Sequence, residues 1–113
     1  MEINLINIEQ IQVVELVGRI DALNNSKLED SLAKITENMA YHVIVDCQKL
    51  DFINSSGLRV FIMSLKKSKA ANKLFLLCNL QKNIKEVFQY SGFDNLFDIN
   101  LNKEEAINST LTD

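Results

Sequence analysis

The sequence predicts a single α/β domain, a mixed sheet of four or five strands with helices packed on it. Three observations carry that expectation. Residues 42–47 and 74–78 hold apolar side chains without alternation, the pattern of strands covered on both faces or paired in parallel. Between them Leu58, Phe61, Ile62 and Leu65 recur at helical spacing, so strand, helix and strand form a right-handed parallel crossover. Ahead of them, residues 3–8 and 11–17 are rich in β-branched side chains and are separated only by Glu9-Gln10, short enough for a hairpin.

Taken in order, the second segment places Ile11, Val13 and Val17 on one face and Val14 and Leu16 on the other, so both faces are partly covered. Gly18 is expected to end that strand, where a Cβ would restrict the backbone. After Asp21, the cluster Asn24, Asn25 and Ser26 marks a helix start, with Ser26 and Glu29 at capping-box spacing. Leu28, Leu32, Ile35 and Met39 then form one apolar stripe, leaving Glu29, Asp30, Lys34 and Glu37 for solvent. The next helix is expected to start at Ser56 or Gly57. Val60 and Met63 widen its apolar face, and Arg59, Lys66 and Lys69 mark its wet side. This helix should be the most buried one. Asn72-Lys73 reads as a turn. A further helix turns Ile84, Val87, Phe88 and Ser91 inward, and Gly92 sits where a left-handed cap belongs. Leu96-Phe97-Asp98-Ile99 is a short strand candidate, residues 103–108 a turn or two of helix, and residues 109–113 a frayed tail.

Composition narrows the function classes. The chain of 113 residues fits one domain spanning residues 1–113, and 47% of it is apolar, which argues against disorder. A net charge of −3 leaves no footprint for nucleic acid, and the cluster Lys66, Lys67, Lys69 and Lys73 reads as a solvated helix face. No charged-then-apolar leader begins the sequence and no apolar run nears the length of a membrane span. The expectation is a cytoplasmic protein without membrane insertion. Cys47 and Cys78 form no CxxC pair and read as buried, reduced thiols. His42 is the single histidine, which rules out a His-based metal cluster, and a Ser-His-Asp triad would have to reach it from a strand start. No Gly-rich phosphate cradle occurs, and no cofactor is expected. Pro is absent, and the chain shows no repeat, low-complexity tract or linker.

Function points to one stretch, Asp51-Phe52-Ile53-Asn54-Ser55-Ser56-Gly57-Leu58, between a buried strand and the most apolar helix. Unpaired backbone N–H groups of a helix start lie there. They suit a capping side chain, from Asn54 or a serine, and equally an anion such as phosphate. This stretch resembles the signature loop of STAS domains, in particular the bacterial anti-sigma factor antagonists, which reads apolar-Asp-Ser-(Ser or Thr)-Gly-Leu. Gly18-Arg19-Ile20-Asp21 is similar to that family's Gly-x-Leu-Asp, and Val87-Phe88-Gln89-Tyr90-Ser91-Gly92-Phe93 to its Leu-Phe-x-x-(Ser/Thr)-Gly-Leu. The three matches follow the family's order and span nearly the whole chain.

The resemblance implies a STAS-like sheet with its main helices on one face. It implies that Ser55 accepts a phosphoryl group from a partner anti-sigma factor that is itself a serine kinase. Ser56 would be a cap or contact residue, and Gly57 would start the helix and allow close approach of the partner. Asp21 would stand at the partner-facing rim, or simply be a strand-end turn residue, and Leu58 would be core. Two departures stand out. Asn54 replaces the family's Asp, keeping hydrogen bonding but removing a charge beside the acceptor. Arg59 stands where many relatives have a small residue, and could be a specificity contact or reach Asp21 or the phosphate. The implied function is a regulatory module, not an enzyme. It would hold the kinase when unphosphorylated and release it when Ser55 is phosphorylated, until a metal-dependent serine phosphatase resets it. The alternative is a STAS scaffold or adaptor of a signalling or lipid-transport complex, with an unmodified serine. A small enzyme with Ser55 as nucleophile lacks a general base and an oxyanion-hole motif.

Overall fold

A computed structural model describes residues 1–37 and 40–111. Five strands lie in chain order across one sheet: β1 (Glu2–Ile8), β2 (Ile11–Ile20), β3 (His42–Ile53), β4 (Phe75–Cys78) and β5 (Asp98–Asn100). β1 and β2 form the expected antiparallel hairpin, closed by Glu9 in the left-handed region (φ 53°). All later pairings are parallel. They need crossovers, which α1 (Asn25–Glu37), α2 (Ser55–Ala70) and α3 (Lys82–Ser91) supply. A 3-10 turn (Phe93–Asn95) precedes β5, and α4 (Lys103–Thr110) closes the described chain.

The crossover helices share one face. Leu28, Leu32 and Ile35 of α1, Leu58, Phe61 and Leu65 of α2, and Ile84 and Phe88 of α3 pack onto Val14, Leu16, Val43, Val45, Phe75 and Leu77 of the sheet. Phe61, Phe75, Phe88 and Phe97 join there with ring centroids 5.5 to 6.4 Å apart, two of the four pairs edge-on. That geometry suits the aromatic quadrupole and adds to area burial. On the other face Ala106 of α4 covers Ile11, Val13, Ile44, Leu76 and Cys78. β3 and β4 are thus covered on both sides, which is why they carry no alternation.

Several boundaries differ from the sequence expectation, for local reasons. β2 runs through Gly18 (φ 107°) to Ile20, because register shifts flanking Val17 and Gly18 let the strand bend without leaving its partner. β3 likewise runs on to Ile53. Its second half, exposed at two of every three positions, extends past the end of β4. The α1 capping box does not form: the helix starts at Asn25, so Ser26 lies inside its first turn and is exposed. Met63 is 45% exposed, so the α2 apolar face is narrower than expected. Ser91 is exposed too, its hydroxyl donating back to the Phe88 carbonyl at 3.1 Å. β5 starts two residues later than the Leu96 candidate, since Phe97 is buried in the aromatic cluster. α4 includes Ser109 and Thr110, and Thr110 is buried. Gly92 (φ 79°) takes the expected left-handed cap. Met39, the last member of the α1 stripe, lies outside the described residues, as do residues 112 and 113.

Candidate functional site

The strand-to-helix junction is a single residue long. β3 ends at the buried Ile53, and α2 begins at Ser55 rather than at Ser56 or Gly57. Asn54 joins them in an extended conformation (φ −91°, ψ 176°). Its N–H donates to the Ile20 carbonyl at 3.1 Å, adding a rung beyond the β2–β3 ladder. Its carbonyl accepts the first helical bond from Leu58 N–H at 3.1 Å, and its Oδ1 accepts from Gly57 N–H at 2.8 Å. Asn54 is therefore the cap; neither serine is. Ser55 and Ser56 are exposed, and among the described residues no hydrogen bond is made to their N–H groups. Those donors, at the positive end of the helix dipole, are open to an anion.

Gly57 is buried, and close packing within the molecule explains it. A Cβ there would lie 2.6 Å from Ile20 Cγ2 and 2.9 Å from Ile53 Cγ1. The glycine thus lets the first turn of α2 sit on the ends of β2 and β3. Leu58 beside it is core, as expected.

The Ile20–Ile53 register brings the turn after β2 to the same end of the sheet as Ser55. Asp21 organises that turn. Its Oδ1 accepts from Leu23 N–H at 3.1 Å, its carbonyl accepts from Asn24 and Asn25 N–H, both at 3.1 Å, and its own N–H donates to Asn24 Oδ1 at 2.9 Å. Asp21 is therefore a strand-end turn residue. Its Oδ2 is 3.8 Å from Arg19 Nε, and the Arg19 guanidinium lies 4.5 Å from the centre of the Phe52 ring. This exposed pair contributes little stability but fixes where the charges stand. The ion pair expected as an option for Arg59 is made by Arg19; Arg59 is exposed on the second turn of α2. Leu23, at the tip of the Asp21 turn, is 95% exposed. Sequence reasoning gave no role to Arg19, Phe52 or Leu23. Arg19 and Phe52 pair across β2 and β3 only through the register shift, which no local pattern announces.

Other candidate groups have structural duties. His42 sits at the opposite end of β3, on the order of 30 Å of strand from Ser55, and its Nδ1 accepts from Leu74 N–H at 3.0 Å. It cannot activate Ser55. Asp46 is buried and accepts from Asn79 Nδ2 at 3.0 Å and Gln48 N–H at 3.1 Å. Cys47 and Cys78 are free and buried on opposite faces of the sheet. Burial pushes the Cys47 thiol well up, with Cys78 and Asp46 adding to it, and pushes Cys78 up to about 12, with Asp46 adding. Neither is a ready thiolate. Among the described residues no group of three or more His, Cys, Asp or Glu could hold a metal, and no helix is long and apolar enough to cross a membrane.

A sheet of this order, with a capped helix start and an exposed serine at its corner, agrees with the comparisons with known proteins. Residues 2–106 match the STAS domain family, and the chain belongs to it. BtrV of Bordetella bronchiseptica, whose name places it among the anti-sigma factor antagonists, is 30% identical over 106 residues, covering 94% of this chain and 91% of its own. The solved structure of the anti-sigma factor antagonist SpoIIAA in its unphosphorylated form superposes with a TM-score of 0.76 at 19% identity, over 99% of this chain and all of its own. The phosphorylated form of the Bacillus cell fate determinant SpoIIAA gives 0.73 at 22% identity, over 96% and 98%. At those identities the structural likeness is one of fold.

Proposed function

We propose that this protein is an anti-sigma factor antagonist controlled at Ser55. Unmodified, it binds an anti-sigma factor that is also a serine kinase, through the corner formed by Asp21, Asn54, Ser55, Ser56, Gly57 and Arg59. The kinase transfers the γ-phosphoryl group of ATP to Ser55 Oγ; the hydroxyl loses its proton, ADP leaves, and binding is lost. A metal-dependent serine phosphatase hydrolyses the ester and restores the free hydroxyl. Sigma-factor-dependent transcription follows the balance of the two forms. The reading carries a cytoplasmic location with it, since kinase, ATP and sigma factor meet there. It assigns the chain binding, and no catalysis of its own.

The observation that carries the proposal is Ser55 as the exposed first residue of α2, beside two N–H groups without a partner among the described residues. A phosphate there adds about −1.5 to −2 charges at a helix N-terminus, where they are tolerated. Asn54 caps without a charge of its own, so no carboxylate directly precedes the phosphate. For a partner covering the corner, the same charge must be desolvated or meet Asp21 across the rim. The cost falls on the complex and spares the fold. The likeness to SpoIIAA in both its forms supports a phosphate read on an intact fold.

The test is to incubate the protein with the serine kinases encoded beside it and ATP, and to locate added phosphate by mass spectrometry. One phosphate on Ser55, absent in Ser55→Ala, retained in Ser56→Ala and accompanied by loss of kinase binding, is the expected result. Binding without phosphate transfer would overturn the switch and leave an adaptor.

A further inference from the structure

We infer that the outer edge of β1 pairs with the same edge of a second copy, making a two-fold dimer with one continuous ten-stranded sheet. Among the described residues the sheet has four stretches of open edge, and three are dealt with internally. The end of β2 beyond β1 is short, and Asn24 donates from Nδ2 to its Arg19 carbonyl at 2.6 Å. β5 is only three residues long. The overhang of β3 beyond β4 is closed by α3, whose entry residue Gln81 donates from Nε2 to the Gln48 carbonyl at 2.9 Å and whose Asn83 donates from Nδ2 to the Asp51 carbonyl at 2.7 Å. Among the described residues β1 has no such cover. It is seven residues long and contains no proline, no bulge and, between Ile3 and Ile8, no charge, so it lacks the devices that protect an edge.

The ladder shows which groups face outward. The Gln10 carbonyl accepts from His42 N–H at 2.8 Å, so Gln10 is turned toward β3 and Ile11 toward β1. Ile11 is opposite Ile8, hence Ile8, Ile6, Asn4 and Glu2 bond to β2, while Ile3, Leu5 and Asn7 present their N–H and C=O groups outward. An antiparallel partner strand related by a two-fold axis at Leu5 sets Leu5 against Leu5, Ile3 against Asn7 and Asn7 against Ile3. All three are hydrogen-bonded pairs. Two identical strands paired antiparallel are related by a two-fold axis, so the contact uses the same edge on both copies and closes as a dimer.

The apolar contact lies on the helix-covered face. Leu5, 52% exposed in the single chain, meets its counterpart beside the helices; Ile6, 37% exposed, meets Asn4 on the α4 side. The ends are complementary in charge. In this register Glu9 of one copy comes beside Met1 of the other, where the Lys27 ammonium already donates to the Met1 carbonyl at 2.9 Å. Edge pairing of seven residues buries less than a standard interface of about 800 Å² per partner, so the dimer is weak and forms as concentration rises. The two-fold axis points the two Ser55 corners to opposite ends of the sheet and leaves both open, so the dimer does not depend on the function proposed for Ser55.

Sedimentation equilibrium on the full chain, from about 10 μM to about 1 mM, reads the association. The expected result is a monomer–dimer equilibrium in which the amides of Ile3, Leu5 and Asn7 become protected from hydrogen exchange as the dimer fills. Leu5→Lys, at an exposed site, should leave the circular dichroism unchanged and raise the Kd at least about ten-fold, through like charges placed directly opposite. Glu9→Lys should weaken the dimer, and adding Lys27→Glu should restore it. A monomer at every concentration with those amides freely exchanging, or a dimer indifferent to Leu5→Lys, overturns the inference.

Discussion

Asn54 belongs to the sheet through its N–H and to α2 through its Oδ1, so one side chain decides how the serines are presented. Replacing it by alanine should lower stability by about 1 kcal/mol, the usual value of an N-cap, seen as a lower urea midpoint with unchanged slope. Asn54→Asp should keep the cap and hold or raise stability, because a carboxylate suits a helix start. Gly57→Ala is more damaging. The added methyl would press on two β-branched side chains at strand ends, and overpacking of that kind costs about 1–3 kcal/mol, measurable by thermal unfolding. At this scale the sequence was informative about which residues matter and less so about why. It left the cap to Asn54 or a serine and the helix start to Ser56 or Gly57, whereas Asn54 caps and α2 starts at Ser55. That Gly57 is required by Ile20, thirty-seven positions earlier in the chain, follows only once β2 and β3 are in register.

Among the elements, α3 has a duty that its own periodicity does not reveal. Ile84 and Phe88 fill the core as their spacing announces, but Gln81 and Asn83 at its entry satisfy backbone carbonyls of β3. A Gln81→Ala, Asn83→Ala double variant should lose about 1–3 kcal/mol, two net hydrogen bonds, and expose the second half of β3 to faster amide exchange. The helices and the buried strands were legible because hydrophobic period and covered runs report burial directly. Strand lengths were not. β2 and β3 each continue past their apolar stretch, because hydrogen bonding to each other, through two register shifts, holds residues whose side chains face water. For the same reason the pairing of Arg19 with Phe52 could not be found from spacing.

The molecule as a whole carries two thiols whose neutral form is favoured by burial. In the unfolded chain a thiol ionises near its ordinary value of 9; in the folded chain Cys78 holds its proton up to about 12. The folded state therefore binds more protons between those values, and stability falls as pH rises from about 9 toward 12. A series of urea midpoints should show this decline, and a Cys47→Ala, Cys78→Ala double variant should flatten it. Below pH 8 the thiols contribute no slope, and alkylation of the native protein should be slow beside that of the unfolded chain.

Strand order equals chain order, β1 to β5, with each strand beside its predecessor. A ribosome delivers the chain N-terminus first, at about 5–20 residues per second. Each newly emerged strand finds its neighbour already made and adds to a growing margin. No earlier strand has to be parted to admit a later one. The hairpin can form before α1 has emerged, and the strand that bears the Ser55 corner can dock onto it while β4 is still within the ribosome. Assembly during translation thus needs no rearrangement, and the later segments β5 and α4 only add to what is already in place.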